Sequence, residues 1–391
     1  MISSSLRFID TADVYKGDAL AGRLHRSPGG EIAFTYLPGY SGTPVSTSLP
    51  LTDETITAGG GAVPSFFAGL LPEGHRLSVM ARAVKTSLDD ELTLLLAIGG
   101  DTPGDVRIVP HGQTPRELVP AVDLSDSRVD FRAISDLVDP VGLPGVQSKA
   151  SASMITTPVK ALGRAAILKI DPHDYPHLVI NEALHLEKAR GLGIPVSTHE
   201  VLTDAHGIRG LVVHRFDRGI DASGRLTRFA LEDAGQVLGI WPAQKYSANS
   251  EDVVLALAAQ THAPLLATRN LYIQFLYAWL TGNGDLHAKN VSILQGASGR
   301  WTVAPIYDVP STALYGDTTM ALPIAGRTKG LRLRHWDEFA DSIGLPLRAA
   351  RAANRHVLKV ASGIDLTVLP FEGSPLHAAE RELRLRRAEI A

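Results

Sequence analysis

The chain has 391 residues, of which 45% are hydrophobic, and its formal net charge at pH 7 is −3. This length and hydrophobic content are enough for two or more domains, and the small net charge gives no overall case for nucleic-acid binding. The sequence contains no cysteine, which excludes disulfide bonds and thiolate metal sites.

The first predicted elements are short strands. Residues 26–70 contain short runs typical of β-strands, broken by Gly and Pro. We therefore expect an N-terminal α+β domain over residues 1–130. The N-terminal residues lack the basic and apolar regions of a signal peptide, and no segment reaches the length of a membrane span. A cytoplasmic location without membrane contact is therefore expected.

A loop rich in small residues follows over residues 142–149, with the sequence GLPGVQSK. Its backbone could approach phosphate groups closely, because small side chains leave the amides accessible. The loop lacks the Gly-x-x-x-x-Gly-Lys-Ser/Thr pattern, so a Walker-type nucleotide site is not supported. The alternative is an ordinary turn, which Pro-Gly dipeptides usually mark.

One lysine interrupts an apolar strand predicted over residues 165–170. Lys169 requires a partner for its charge, and in protein kinases a strand lysine meets the nucleotide phosphates and is held by a helix glutamate. The next predicted helix, over residues 181–193, ends at a glycine and offers Glu182 and Glu187, of which we prefer Glu182. Alternatively, Lys169 extends from an edge strand to solvent.

A buried strand is predicted where residues 210–213 lead into His214, Arg215 and Phe216. Such a strand makes a natural hinge at the end of a small lobe, with main-chain groups offered to an adenine edge. The charged sequence over residues 215–218 can also form an internal salt-bridge cluster, and the two interpretations are compatible.

An apolar run over residues 271–280 predicts a buried helix that leads into Gly282. The segment that follows, residues 282–290, has the sequence GNGDLHAKN. Its Asp285 and Asn290 have the Asp-x-x-x-x-Asn spacing of the catalytic loop of protein kinases.

Asp285, Asn290 and Asp308 form a set suited to phosphoryl transfer. This chemistry needs a carboxylate to orient the attacking hydroxyl, and oxygen ligands for the metal that neutralises the phosphate charge. Asp308 ends a strand predicted over residues 301–308. The alternative is that the aspartate and asparagine of residues 282–290 only satisfy the backbone of a turn beside two glycines.

Taken in order, these segments resemble the HipA-type serine/threonine protein kinases, the toxins of two-component toxin–antitoxin modules. The resemblance covers nearly the whole chain, and its strength lies in the order of the matches, since any single one is unspecific. The matching segments are residues 69–74, 98–104, 143–149, 168–169, 181–182, 214–218, 231–239, 245–246, 282–290 and 304–308.

The resemblance implies an α+β fold class. An N-terminal α/β subdomain over residues 1–130 would precede a two-lobed protein-kinase-like domain over residues 131–391. The small lobe would run to about residue 215, and a mostly helical large lobe would span residues 216–391. ATP would bind in the cleft between the two lobes.

The same resemblance implies a role for each matching residue. Asp285 would be the catalytic aspartate, Asn290 and Asp308 would bind Mg²⁺, and Lys169 would contact the phosphates of ATP. The other implied nucleotide-binding residues are Pro144, Gly145, Val146, Gln147, Ser148 and Lys149 in a mobile phosphate loop, with His214, Arg215, Phe216, His287, Lys289 and Tyr307 around the nucleotide.

The implied activity is phosphorylation of a cytoplasmic protein on serine, with an aminoacyl-tRNA synthetase as the known type of target, which would arrest translation and growth. The implied partner is a HipB-like helix-turn-helix antitoxin, through which the chain would meet DNA only indirectly. Two alternatives stay open: a small-molecule kinase, because antibiotic phosphotransferases have a similar loop, and a catalytically silent scaffold that binds the antitoxin.

Two positions depart from the family pattern. Family members commonly carry a serine before the phosphate loop, whose autophosphorylation switches the enzyme off, and Gly142 stands there in this chain. Ser148, Ser151 and Ser153 are nearby alternative acceptors. His214 stands where an acidic residue is common, and a main-chain contact would survive that change.

Two further patterns favour ordinary roles. Six histidines fall between residues 173 and 214, but Pro172 and Pro176 prevent the helical spacing that a zinc site at His173 and His177 would need. Residues 347–359 predict a helix with one basic face, which is most often solvated and in fewer cases meets an acidic partner or DNA. The residues of this face are Arg348, Arg351, Arg355 and Lys359.

Overall fold

The computed structural model describes residues 4–116, 155–161 and 164–391, together with residues 124, 129–131 and 133. The chain divides into two compact units. The first contains Met1–Val119, Asp217–Ala243 and Leu294–Ser298, and the second contains Pro120–Phe216, Gln244–Ile293 and Gly299–Ala391.

The first unit is built on a five-stranded antiparallel sheet with strand order β4-β3-β2-β1-β5. One of the short strands predicted over residues 26–70 is β3, in which the alternate residues Ile32, Phe34 and Tyr36 are buried in the core. The strands are β1 (Thr11–Lys16), β2 (Ala19–Arg26), β3 (Ile32–Tyr36), β4 (Ile56–Ala58) and β5 (Val106–Pro110).

Three helices supply the other side of this core. They are α1 (Ser65–Gly69), α2 (Gly74–Val84) and α3 (Glu91–Ile98). The ring of Phe67 on α1 lies 5.1 Å from that of Phe34, and Asp90 caps α3 by accepting a hydrogen bond from the amide of Thr93.

Residues 217–243 group with this first unit, although they follow the strands of the second unit in sequence. Buried ionic groups explain the grouping: Arg218 donates to the carbonyl oxygen of Thr102 at 2.7 Å, and Glu232 accepts from the hydroxyl of Thr47 at 2.6 Å. The segment contains β10 (Arg218–Ile220), β11 (Leu226–Arg228), β12 (Ala230–Asp233) and helix α5 (Ala234–Leu238), and helix α4 (Leu178–Ala189) of the second unit precedes it in sequence.

The second unit begins with a four-stranded antiparallel sheet of order β6-β7-β9-β8. Apolar residues of β7 and β9 form its core with Phe131, and helix α4 (Leu178–Ala189) follows β7. The strands are β6 (Ile155–Ala161), β7 (Arg164–Ile170), β8 (His199–Thr203) and β9 (Arg209–His214).

The rest of the second unit is mostly helical. Its helices are α6 (Ser250–Gln260), α7 (Pro264–Thr281), α8 (Leu333–Ser342), α9 (Leu347–Ser362) and α10 (Ser374–Ile390), and the short strands β13 (Ser292–Gln295) and β14 (Trp301–Val303) lie between α7 and α8 in sequence. Helix α7 is buried from Leu271 to Thr281, as its apolar run predicts. No helix among the described residues is both long and apolar enough to cross a bilayer.

Most predicted elements of the second unit are confirmed. The strand at 165–170, the helix ending in a left-handed glycine at Gly193, and the basic helix at 347–359 all form. The strand predicted over 301–308 is shorter, because β14 ends at Val303 and only Ile306 makes a further β-bridge, to Val196. The domain ranges 1–130 and 131–391 stay a prediction.

Candidate functional site

Lys169 lies at the centre of the candidate site. Its ammonium group is 2.8 Å from both carboxylate oxygens of Glu182 and 2.9 Å from Oδ1 of Asp308. Strand β7 and helix α4 carry the first two residues, so the pair joins the sheet to the helix that follows it. The preference for Glu182 is confirmed, since Glu187 forms an exposed pair with Arg190 instead.

Two of the three charged groups are largely removed from solvent. The side chain of Glu182 is fully buried, and that of Lys169 is 11% exposed. Burial lowers the pKa of Lys169, but the charges of Asp308 and Glu182 outweigh it and raise that pKa above its ordinary value, so the ammonium stays charged. Burial raises the pKa of Glu182, because the charge of Lys169 offsets only part of the desolvation cost.

The backbone around Asp308 is fixed from both sides. Before it, Ile306 exchanges main-chain hydrogen bonds with Pro195 and Ser197. After it, the side-chain amide of Asn181 accepts from the Ser311 amide and donates to the Ser311 carbonyl, both at 3.0 Å. Asp308 itself has a φ of 55°, a left-handed conformation that is uncommon for a residue other than glycine.

The loop that carries Asp285 begins where helix α7 ends. Gly282 has a φ of 72°, and a Cβ there would lie 2.7 Å from the Cβ of Ala313, so both the backbone angle and the space require glycine. Within the loop, the Asn283 side chain accepts from the Asp285 amide, and the Asn290 side chain donates to the Asp285 carbonyl. The nonapeptide is therefore a rigid, internally hydrogen-bonded loop.

The Asp285 carboxylate is 2% exposed and has a partner that the sequence reasoning did not select. The hydroxyl of Tyr246 donates to its Oδ1 at 2.9 Å. The ring of Tyr246 also packs edge-on against the ring of His287, with centroids 5.1 Å apart. Tyr246 lies in one of the segments that resemble the family, at residues 245–246. No pattern in the sequence links it to Asp285, which is 39 positions away.

Tyr307, the residue before Asp308, contacts Phe216 and the segment that carries Asp285. The rings of Phe216 and Tyr307 lie 5.6 Å apart, and the Tyr307 hydroxyl donates to the carbonyl of Lys289 at 2.8 Å. The amide of Lys289 in turn donates to the His287 ring. The structure thus brings together Phe216 with Tyr307, and Tyr307 with Lys289.

The amides of His214 and Arg215, residues predicted to lie in a hinge, form main-chain hydrogen bonds. The His214 amide donates to the carbonyl of Thr198, and the Arg215 amide donates to that of Ala165. These two amides are therefore not available to an adenine edge. The predicted phosphate loop, Pro144, Gly145, Val146, Gln147, Ser148 and Lys149, lies outside the described residues, as do Gly142, Ser151 and Ser153.

The predicted metal ligands Asn290 and Asp308 offer the chemistry that Mg²⁺ prefers. Because Nδ2 of Asn290 donates to a carbonyl, its other amide atom is an oxygen, which with a carboxylate makes a hard oxygen donor set. Within the described part of the chain, no group of three or more His, Asp or Glu residues is arranged to hold a metal ion. Asn290 and Asp308 therefore fit a metal site whose remaining coordination positions are filled by oxygen atoms of a bound ligand.

Two family models match the chain. The HipA-like C-terminal domain matches residues 141–364, and the HipA N-terminal domain matches residues 12–109.

Two curated relatives are similar over most of their length. The protein named "Putative kinase Y4mE" from Sinorhizobium fredii is 30% identical over 374 residues, which cover 88% of this chain and 88% of the relative. "Serine/threonine-protein kinase toxin HipA" from Shewanella oneidensis is 28% identical over 375 residues, which cover 86% of this chain and 84% of that protein.

A solved structure shows the same fold. It is the complex of HipA, HipB and operator DNA from Shewanella oneidensis MR-1, and the match has a TM-score of 0.77 and 24% identity over 97% of this chain and 96% of that chain. The predicted α+β fold class, with a two-lobed kinase-like part, is confirmed by this match. The C-terminal family model alone spans more than half of the sequence, and the chain belongs to the HipA family.

Proposed function

We propose that this chain is an ATP- and Mg²⁺-dependent serine/threonine protein kinase and the toxin of a toxin–antitoxin module. One observation carries the proposal: Lys169 bonds at the same time to Glu182 on a helix and to Asp308 beyond the catalytic loop. In protein kinases the corresponding lysine–glutamate pair and metal-binding aspartate must both be in place for phosphoryl transfer.

Each residue of the site has a separate task in this proposal. Asp285 orients the substrate hydroxyl and accepts its proton, with Tyr246 fixing the carboxylate through Oδ1. Lys169 binds the phosphates of ATP, and Glu182 holds the lysine in position. Asn290 and Asp308 hold Mg²⁺, which when bound neutralises charge on the transferring phosphoryl group.

The remaining nucleotide contacts follow from the described aromatic cluster and the proposed loop. Phe216 and Tyr307 offer ring faces to adenine, and His214 and Arg215 line the hinge, while His287 and Lys289 border the catalytic loop. Residues 144–149 would cover the phosphates. Because Gly142 has no hydroxyl, self-phosphorylation at that position is chemically excluded, and Ser148, a loop residue, is an alternative acceptor.

The relatives support the biological part of the proposal. One relative is named as a serine/threonine-protein kinase toxin, and the solved structure contains HipA with HipB and operator DNA. We propose by analogy a HipB-like antitoxin as partner, contact with DNA only through that antitoxin, and a protein substrate in the cytoplasm. An aminoacyl-tRNA synthetase is the proposed type of target.

Transfer of label from γ-labelled ATP to proteins of a cell lysate tests the proposal. Wild type is compared with Asp285→Asn, which keeps the size of the side chain but removes the charge that orients the hydroxyl. We expect a labelled protein with wild type and a loss of at least about 100-fold in the variant. Asp337→Asn, which alters a partly exposed carboxylate paired with Arg351, is the matched control and should keep full activity.

The same assay distinguishes the two alternatives. Label that enters only small alcohols, and no protein, would indicate a small-molecule kinase. ATP binding without any transfer by wild type would indicate a silent scaffold. Equal protein labelling by wild type and Asp285→Asn would remove the assigned role of Asp285.

A further inference from the structure

A cavity of about 380 Å³ lies in the helical part of the second unit, at the start of helix α8. None of the residues assigned above to nucleotide binding or catalysis lines it. Its walls contain four arginines and two glutamates, and the charged and aromatic residues that line it are Trp279, Arg327, Arg332, Arg334, His335, Glu382, Arg386 and Glu389.

The charges in this cavity are only partly balanced. Arg332 pairs with Glu389 at 3.3 Å, and Arg386 pairs with Glu382 at 2.8 Å. Among the described residues, Arg327 and Arg334 have no carboxylate partner. Four guanidinium groups and two carboxylates leave a net charge of +2 around a space large enough for a small ligand.

The first turn of helix α8 adds hydrogen-bond donors without acceptors. Arg332 occupies the N-cap position, where its side chain can only donate and so cannot cap the helix. Leu333 and Arg334 are the first two residues of the helix, so their amides have no acceptor within the helix itself. The positive end of the helix dipole therefore meets the arginines at this cavity.

His335 has an N–H donor beside each of its ring nitrogens. It is 6% exposed; the amide of Arg332 lies 2.9 Å from Nδ1, and Nε of Arg334 lies 3.2 Å from Nε2. A neutral imidazole accepts at only one ring nitrogen, so His335 can satisfy only one of these two donors. The other donor is available to an anionic oxygen in the cavity.

Two further observations agree with anion binding at this cavity. Burial lowers the pKa of His335, and the charges of Arg334 and Arg327 lower it further, so the ring is neutral and accepts at one nitrogen only. The indole N–H of Trp279, a residue 1% exposed that lines the cavity, has no hydrogen-bond partner among the described residues.

We propose that this cavity binds the phosphate group of a small ligand, either inorganic phosphate or a phosphorylated metabolite. A phosphate monoester carries a charge of about −1.5 to −2 at neutral pH and offers three acceptor oxygens, which match the excess charge and the unused donors. The site is separate from phosphoryl transfer, and its occupancy does not depend on the proposed function.

Isothermal titration calorimetry tests the proposal with inorganic phosphate, ribose 5-phosphate and unphosphorylated ribose. A non-hydrolysable ATP analogue and Mg²⁺ are kept saturating, so that the nucleotide site does not contribute. The variants are Arg327→Gln and Arg334→Gln, both exposed residues whose loss should not prevent folding. Arg348→Gln, on the exposed face of helix α9 and outside the cavity, is the matched control.

We expect saturable binding of at least one phosphate compound to wild type and to the control, no binding of ribose, and affinity at least about tenfold weaker in each cavity variant. Tighter binding of ribose 5-phosphate than of phosphate would identify a phosphorylated metabolite, and equal binding would identify the phosphate group alone. Absence of saturable binding, or equal affinity in wild type and both cavity variants, would overturn the proposal.

Discussion

At the scale of single residues, the site depends on how buried charges are compensated. Lys169 balances the fully buried Glu182 and also reaches Asp308, which is 24% exposed. Such a triad contributes little net stability relative to an apolar core, yet removal of one member leaves the others uncompensated. The triad is therefore better explained by the proposed phosphoryl transfer, which needs positioned charges, than by a contribution to stability.

Replacing Lys169 with methionine should lower both activity and stability. The variant leaves Glu182 buried without a cation, so we expect the free energy of unfolding to fall by about 3 kcal/mol and phosphoryl transfer to be lost. Chemical denaturation measures the first effect, and the labelled-ATP assay measures the second.

The double variant Lys169→Met/Glu182→Leu is the control for this interpretation. It removes both buried charges, so most of the lost stability should return while activity stays absent. A double variant that is no more stable than Lys169→Met would contradict the account of the buried pair.

At the scale of elements, the end of helix α7 sets the position of the catalytic loop. The helix ends at Gly282, and the carbonyl of that residue accepts hydrogen bonds from the amides of Thr312 and Ala313. The Thr312 hydroxyl accepts from the Gly284 amide as well. The loop with Asp285 and the segment after Asp308 are thus tied to one helix terminus.

Gly282→Ala should disturb this arrangement more than an ordinary change at a left-handed glycine. A Cβ at position 282 would contact three groups, the nearest 2.7 Å away, so we expect a loss of about 2–4 kcal/mol in unfolding free energy and a lower kcat. Gly193→Ala is the matched control: its φ is 68° and no atom lies within 4 Å of the added carbon. For Gly193→Ala we expect a loss of about 1 kcal/mol in unfolding free energy and an unchanged kcat. Equal effects at the two positions would show that space at Gly282 is unimportant.

The sequence predicted local elements and acidic residues better than long-range contacts. The strand with Lys169 and the glycine that ends α7 follow from local patterns, because apolar periodicity and left-handed glycines are properties of short segments. Contacts between distant segments leave no such local pattern. Tyr246 with Asp285, and buried Arg386 with the carbonyl of Trp279 at 2.9 Å, belong to this class.

At the scale of the whole molecule, buried apolar side chains in both compact units carry the stability of a chain that has no cysteine. In the second unit, His185 on α4 is fully buried; its Nδ1 contacts the carbonyl of Asn181, and its own carbonyl accepts from the Tyr277 hydroxyl on α7. Burial lowers the pKa of His185 to about 4, with a further contribution from the charge of Arg387. The imidazole of His185 is therefore neutral in the folded chain at pH 7.

Acidification should weaken the fold through His185. Because its pKa is lower in the folded than in the unfolded chain, its contribution to stability is complete above about pH 6.5 and declines as the pH falls towards 4. Between pH 7 and pH 5, wild type should lose about 2 kcal/mol of unfolding free energy more than His185→Gln, whose amide does not titrate. Urea unfolding at both pH values measures the difference, and identical pH slopes for the two proteins would refute it.

The basic face of helix α9 is exposed, as predicted for its four cationic residues. One of these residues, Arg351, pairs with Asp337 at 2.9 Å. A role of this face in meeting an acidic partner or DNA stays a prediction.

Under the proposed function, this chain transfers a phosphoryl group to protein serine through Asp285. The most direct measurement is mass-spectrometric mapping of phosphorylated residues after purified wild type or Asp285→Asn is incubated with ATP, Mg²⁺ and lysate proteins. We expect new phosphoserine in a cytoplasmic protein after incubation with wild type and not with Asp285→Asn. The same phosphosites with both proteins, or none with a wild type that binds ATP, would contradict it.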